Sequence, residues 1–212
     1  MASFKVIALD CDGVMFDSEK ANTAYYNRVL NHFGRPGLLP EQLDYVHMHT
    51  AGEALALLFP DDNMLRQALA FCRETGYTDF IRLMEIEPHL RDLLNKVRPH
   101  MKTAVATNRT NTMGQVIREH GLEGMFDLVV CALDVDKPKP HPDMLKKVSN
   151  HFGVPSYEVL FIGDSELDSQ AAYAANVPFA AYANPSLEAN FHISSLQEVG
   201  VILEGYSRFD GF

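Results

Sequence analysis

The chain has 212 residues, 47% of them hydrophobic and 22% charged, an ordinary globular composition with room for one sizeable core or a core carrying a smaller inserted domain. Its 28 acids against 18 Lys and Arg give a formal net charge of -10, which argues against a nucleic-acid partner, because such a partner calls for a basic face. A small anionic substrate is not excluded, since a metal and one or two lysines can reverse the potential locally.

The first expected element is a buried strand over Phe4–Leu9, and it runs straight into Asp10-Cys-Asp-Gly13. A strand alternates faces, so Asp10 and Asp12 project to one side roughly 7 Å apart while Cys11 points to the other. Two like charges held that close perturb each other's protonation unless a cation sits nearby. From Ser18 to Glu87 no strand is expected. The segment reads as helices over roughly Ser18–Phe33, Ala51–Phe59 and Asp62–Met84, punctuated by Gly34-Arg-Pro-Gly37 and Phe59-Pro60. Tyr25, Val29, Phe33 and the run Leu55–Phe59 have the spacing of an apolar helical core. Ser18 is expected to cap the first helix. His47 and His49 fall in an expected loop between helices, as surface residues or residues lining the helical segment rather than a metal site, with a role in recognising substrate left open.

Beyond residue 88, short apolar runs at Thr103–Ala106, Leu128–Cys131, Val159–Ile162 and Pro178–Ala181 alternate with helical stretches at Met113–His120, Pro142–Phe152 and Glu166–Ala175. Continuous apolar strands alternating with helices imply an α/β fold, a parallel sheet covered on both faces. A weaker strand near Phe191–Ile193 and a helix at about Ser195–Glu204 complete it, and the tail Tyr206–Phe212 reads as frayed. The expected organisation is a core of residues 1–17 and 88–212 with an all-helical domain, 18–87, inserted on connectors near Phe16–Ser18 and Glu85–Pro88.

Ligands of open parallel sheets bind beyond the carboxyl ends of the strands. The first strand delivers Asp10 and Asp12 there. The second ends Val-Ala-Thr107-Asn108-Arg109, a hydroxyl and free N–H groups before a helix, equally an anion cradle or a simple cap. Arg109 reads either as a solvated helix-start residue or as a group reaching a substrate anion. The third is followed by Lys139 between Pro138 and Pro140, and the fourth ends Gly-Asp164-Ser-Glu-Leu-Asp168. A calcium loop is excluded, because Val14 and Met15 stand where an EF-hand needs an acid or amide and a glycine. Each piece alone has a bland reading. Their joint placement on successive strand ends does not.

This set resembles the haloacid dehalogenase superfamily, in its phosphatase branch with a small helical cap. Asp10–Asp17 is similar to its first motif, Ala106-Thr-Asn its second, Lys139 its third and Gly163–Asp168 its fourth, over about residues 4 to 204. The resemblance implies a Rossmann-like core and Mg²⁺ held by Asp10, the Asp12 carbonyl and Asp164, with Asp168 bound directly or through water. It also implies a phosphoaspartate formed on Asp10, Asp12 as general acid and base with a pKa pushed toward the working range, and Lys139, Thr107 and Asn108 on the phosphoryl oxygens. Asp17 would lie near the metal's outer shell. Expected is hydrolysis of a small phosphomonoester, phosphoglycolate or a similar metabolite.

Asp12 argues against carbon–halogen cleavage. A β-phosphoglucomutase-like mutase stays a rival, disfavoured by Asn22 where such enzymes carry histidine and by Gly163 where they carry glutamate. A phosphoaspartate receiver or inactive binding module is the non-enzyme rival, but receivers run to about 120 residues without an inserted helical segment. Glu87-Pro88-His89 departs from the proline-glycine common in relatives. Cys11, Cys72 and Cys131 are far apart with no CxxC, which favours a reducing compartment. Neither a signal peptide nor an apolar run near the ~20 residues of a membrane span is visible, so a cytoplasmic protein is expected.

Overall fold

The computed structural model describes residues 3–208, with side chains described to residue 205. The chain starts with β1 (Val6–Leu9), then β2 (Phe16–Asp17). Five helices follow: α1 (Glu19–His32), α2 (Pro40–Met48), α3 (Ala51–Leu58), α4 (Asp62–Thr75) and α5 (Thr78–Ile81). After β3 (Glu85–Ile86) the strands and helices alternate: α6 (Leu90–Val97), β4 (Lys102–Thr107), α7 (Met113–Glu119), β5 (Leu128–Cys131), α8 (Asp143–Phe152), β6 (Val159–Gly163) and α9 (Glu166–Ala175). The strands β7 (Phe179–Tyr182) and β8 (Phe191–Ile193) and the helix α10 (Val199–Arg208) close the described chain. Short 3₁₀ turns fall at Ala132–Asp134, Ser156–Glu158 and Leu196–Glu198, the last taking up the first turn of what reads in sequence as one helix from Ser195. Of the tail expected to fray, residues 209–212 lie outside the described residues.

Six strands form one sheet in the order β5-β4-β1-β6-β7-β8, every pair parallel. The residues of β1 are buried on both faces, and the two-residue period sorts them. Ile7 and Leu9 pack with Val105 and Ile162 against α6 and α7, through Leu90, Leu94, Met113 and Val116. Val6 and Ala8 pack with Ala104, Val130 and Phe161 against α8 and α9, through Leu145, Val148, Ala171 and Ala172. The strands run outward from β1 through β4 to β5 and then resume on its other side at β6, so the order reverses beside β1. The crevice lies beyond its carboxyl end.

The helical segment has an apolar cluster of its own, built from Tyr25, Tyr26, Val29, Leu30, Val46, Leu55, Leu58 and Phe59, with Phe33 packed against it. Three expectations for it are corrected. The helix read over Asp62–Met84 is two, α4 and α5, because Gly76 takes φ +64° and ends the first. The loop read around His47 and His49 is instead α2 with Pro40 at its start, and His49 follows its last residue. The segment expected to lack strands is entered and left through a ribbon in which Phe16 pairs with Ile86 and Asp17 with Glu85, antiparallel. Its rim carries Lys20 Nζ 2.5 Å from Glu85 Oε1.

Candidate active site

At the tip of β1 the Asp10 carboxylate accepts the Cys11 N–H at 2.7 Å through Oδ1 and lies 3.0 Å from Lys139 Nζ through Oδ2. Lys139 is 3% exposed and also donates to Asp168 Oδ1 at 2.6 Å. Asp168 is wholly buried, and its Oδ2 accepts from the Ser165 N–H (3.1 Å) and hydroxyl (2.5 Å), closing a capping box at the start of α9. One acid thus starts a helix and orients the lysine. Lys139 is fixed from behind as well: the Asn108 side chain donates to its carbonyl and accepts from its N–H, both at 3.1 Å, across a loop whose Lys139–Pro140 peptide is cis. The Asn108 amide clamps the lysine loop, and Thr107 Oγ1 accepts the Arg109 N–H at 3.2 Å.

Two glycines make room for acids. A Cβ on Gly13, whose φ is +77°, would meet Asp164 Oδ2 at 2.0 Å, and one on Gly163 would meet the Asp168 Cγ at 2.6 Å. Asp10, Asp164 and Asp168 each bring a carboxylate oxygen within 4.8 Å of the others. Burial, with Asp168 and Asp12 adding to it against the pull of Lys139, raises the Asp10 carboxyl above the usual range. Burial, with Asp168 and Asp10, does the same to Asp164. The centre holds four aspartates against two cations, Lys139 and Arg109, which leaves two negative charges short of partners. An all-oxygen donor set with that deficit suits a hard divalent cation such as Mg²⁺.

Asp12 faces differently. Arg109 grips it with two nitrogens, Nε on Oδ2 at 2.7 Å and Nη2 on Oδ1 at 2.6 Å, and the Ser18 hydroxyl also donates to Oδ1. Burial raises the Asp12 carboxyl, but the Arg109 charge and hydrogen bonds outweigh it and hold it below the usual range. The sequence reading expected the opposite displacement for this group, because it did not pair Arg109 with Asp12. Ser18 is likewise corrected: it makes no side-chain cap on α1, while the exposed Asp17 accepts the Glu19 N–H at 3.1 Å. Arg109 also stacks 4.9 Å from the Tyr77 ring centroid and donates to Thr112 Oγ1 at 3.3 Å.

A cavity of about 500 Å³ starts at Asp10, Asp12, Thr107 and Asn108 and extends between the sheet and the helical segment. On its far side the Tyr77 hydroxyl donates to Asn22 Oδ1 at 2.5 Å, and Asn22 Nδ2 lies 3.0 Å from His47 Nδ1. His49 stacks on Tyr45 with 3.7 Å between ring centroids. Sequence reasoning missed Tyr77, which sits in the span misread as one helix. At the departure noted in sequence, the Glu87 carboxylate accepts the His89 N–H at 2.6 Å and the Tyr182 hydroxyl at 3.3 Å.

Comparison with known proteins matches residues 7–182 to the haloacid dehalogenase-like hydrolases. The chain belongs to this family. A phosphoglycolate phosphatase of Pseudomonas putida is 29% identical over 187 residues, 82% of this chain and 67% of that protein. The crystal structure of a HAD-superfamily hydrolase, subfamily IA, variant 1, from Geobacter sulfurreducens is 38% identical, covers 94% of this chain and 96% of its own, and superposes with a TM-score of 0.78. A β-phosphoglucomutase from Clostridium difficile shares the fold at a TM-score of 0.85 with 18% identity, covering 97% of this chain and 98% of its own. The protein is therefore a hydrolase with an α/β core and a helical addition. Among the described residues, no helix is long and apolar enough to cross a membrane.

Proposed function

We propose that the chain is a Mg²⁺-dependent phosphatase that hydrolyses a small phosphomonoester through a phosphoaspartate on Asp10. The observation that carries this is the meeting of the Asp10, Asp164 and Asp168 carboxylates beside Lys139, at one end of a cavity of about 500 Å³. Asp10 and Asp164 would hold the cation with the Asp12 carbonyl, and Asp168 would stand behind them. Bound there, the ion supplies positive charge to the phosphate oxygens. Asp10 attacks phosphorus, an O–P bond forms, and the alkoxide leaves with a proton from Asp12. Asp12 then takes a proton from the water that attacks the phosphoaspartate, and inorganic phosphate and Asp10 are released.

Lys139 neutralises the transferring oxygens, and its double pairing keeps it from following any one anion. Thr107 borders the cavity and would offer its hydroxyl to the same oxygens, and Asn108 fixes the lysine loop. Residues 18–87 act as a cap that excludes water over the bound ester, with the β2–β3 ribbon as its attachment to the core formed by 1–17 and 88–212. The three cysteines are free, in keeping with a cytoplasmic setting. The test is hydrolysis of p-nitrophenyl phosphate with Mg²⁺ and with excess EDTA, together with trapping of labelled phosphate on the protein. Comparable rates in EDTA, or label that never reaches Asp10, refute the reading.

A further inference from the structure

We propose that the substrate is the phosphate ester of a neutral, apolar-bodied alcohol, bearing a ring or branched chain that seats against α1, α3 and α4. This rests on the phosphatase reading and adds the class of leaving group. Beyond the aspartates the cavity is walled by Tyr25, Tyr26, Val46, Leu55, Leu69 and Cys72. Leu55 is 1% exposed, Val46 3%, Tyr26 5% and Tyr25 7%, while Leu69 and Cys72 are half-buried. Its volume of about 500 Å³ falls in the range of about 300–1,000 Å³ that encloses ligands of many heavy atoms. At about 30 Å³ per water, a short two-carbon ester would leave most of that space to water lying on apolar walls.

A second anionic group on the substrate, such as the carboxylate of phosphoglycolate, needs a cation at the far end. The cationic residues bordering the cavity are already engaged or exposed. Arg109 is gripped by Asp12 and Thr112 and stacked on Tyr77. The Nδ1 atoms of His47 and His49 face Asn22 and the Tyr45 carbonyl, each at 3.0 Å, and Arg73 is exposed. A carboxylate would lose its water against tyrosine rings, leucines and a thiol, whereas an apolar body gains from the same surface. The Tyr77–Asn22–His47 chain borders the cavity and offers polar atoms to one neutral hydroxyl or ether.

The test compares alkyl esters of similar intrinsic reactivity: benzyl and cyclohexylmethyl phosphate against 2-phosphoglycolate and glycerol 1-phosphate, with Mg²⁺. The first pair is expected to show kcat/KM about 10- to 100-fold higher, the gain from burying one ring-sized apolar group. Leu69→Arg, a change in the half-buried part of the wall, is expected to shrink that ratio at least about 10-fold. A wild-type kcat/KM for phosphoglycolate equal to or above that for benzyl phosphate overturns the proposal. Calorimetric binding of benzylphosphonate against phosphonoacetate reads the pocket without turnover. Tighter benzylphosphonate binding supports the proposal, and equal or weaker binding overturns it. Acetyl phosphate, too short to reach the wall, reports the aspartate chemistry alone. If it is not hydrolysed, the phosphatase reading falls, while the phosphonates still decide the pocket.

Discussion

Substituting Gly13 by alanine probes the cation site without touching a charged residue. Gly13 stands at φ +77°, and a Cβ there would come 2.0 Å from Asp164 Oδ2 and 2.4 Å from its Cγ. Ordinary contact begins near 3.4 Å, so the carboxylate must retreat by about 1.4 Å or the loop must shift by as much. Cation sites tolerate only about 0.2 Å in ligand distance. Gly13→Ala is therefore expected to weaken Mg²⁺ binding about 10- to 100-fold, the scale of disturbing a group that orients a ligand. The backbone cost is separate: a left-handed conformation costs a non-glycine residue about 1–2 kcal/mol, which in a chain of this size lowers Tm by about 2–8 °C. Calorimetric Mg²⁺ titration and thermal melts with and without the metal read the two effects independently. A variant whose Tm falls as expected, but whose Mg²⁺ affinity stays within about two-fold of wild type, would show that Asp164 is not a ligand.

Asp10→Asn is expected to abolish turnover and phosphate trapping while leaving the metal-free Tm equal or higher, because a neutral amide replaces a buried acid; labelled phosphate on this variant would contradict the assignment. Lys139→Met strips Asp10 and Asp168 of their shared partner, so it should lower kcat about 10²- to 10³-fold and stability by about 3–5 kcal/mol; an unchanged urea midpoint would refute the pairing. Arg109→Gln frees Asp12 from its bidentate partner, so the alkaline limb of the pH–rate profile should move to higher pH, and a superimposable profile would show that Arg109 does not set this group. Burial raises Asp10 to about 7 and Asp164 to about 8 from 3.8, so the metal-free fold binds more protons than the unfolded chain over that window and loses stability as pH rises through it. The Mg²⁺-induced gain in Tm should consequently grow from pH 5.5 to pH 8, and a gain that is flat or falls with pH would exclude these two acids as the ligands.

What was legible in the sequence was whatever short-range pattern fixes. The runs at Leu128–Cys131 and Phe191–Ile193 match β5 and β8 at both ends. The placement of Asp10 and Asp164 follows from the ends of β1 and β6, which continuous apolar runs mark well. What was not legible depends on contacts across the fold. Nothing local says that Arg109 reaches back 97 positions to Asp12, or that Tyr77 lies beneath it. Gly76 was the available signal for breaking the misread helix, and Pro40 for starting the missed one. The β2–β3 ribbon is two residues a side and leaves no periodicity to detect.

The two aspartates at the head of the site are displaced in opposite directions, and the order is the reverse of what the proposed roles require. A nucleophile should be ionised and a general acid protonated, yet Asp10 is raised and Asp12 is lowered. Neither displacement is intrinsic to the position. Asp10 is raised because burial and neighbouring acids outweigh Lys139, a balance that added positive charge beside it would tip toward the ionised form. Asp12 is lowered because Arg109 holds it, and Arg109 is itself held by Tyr77 from the helical segment and by Thr112 from the edge of α7. A dianionic phosphate arriving beside Arg109 would compete with Asp12 for the same guanidinium. A cation held beside Asp10 would therefore favour the ionised carboxylate that the proposed nucleophile needs.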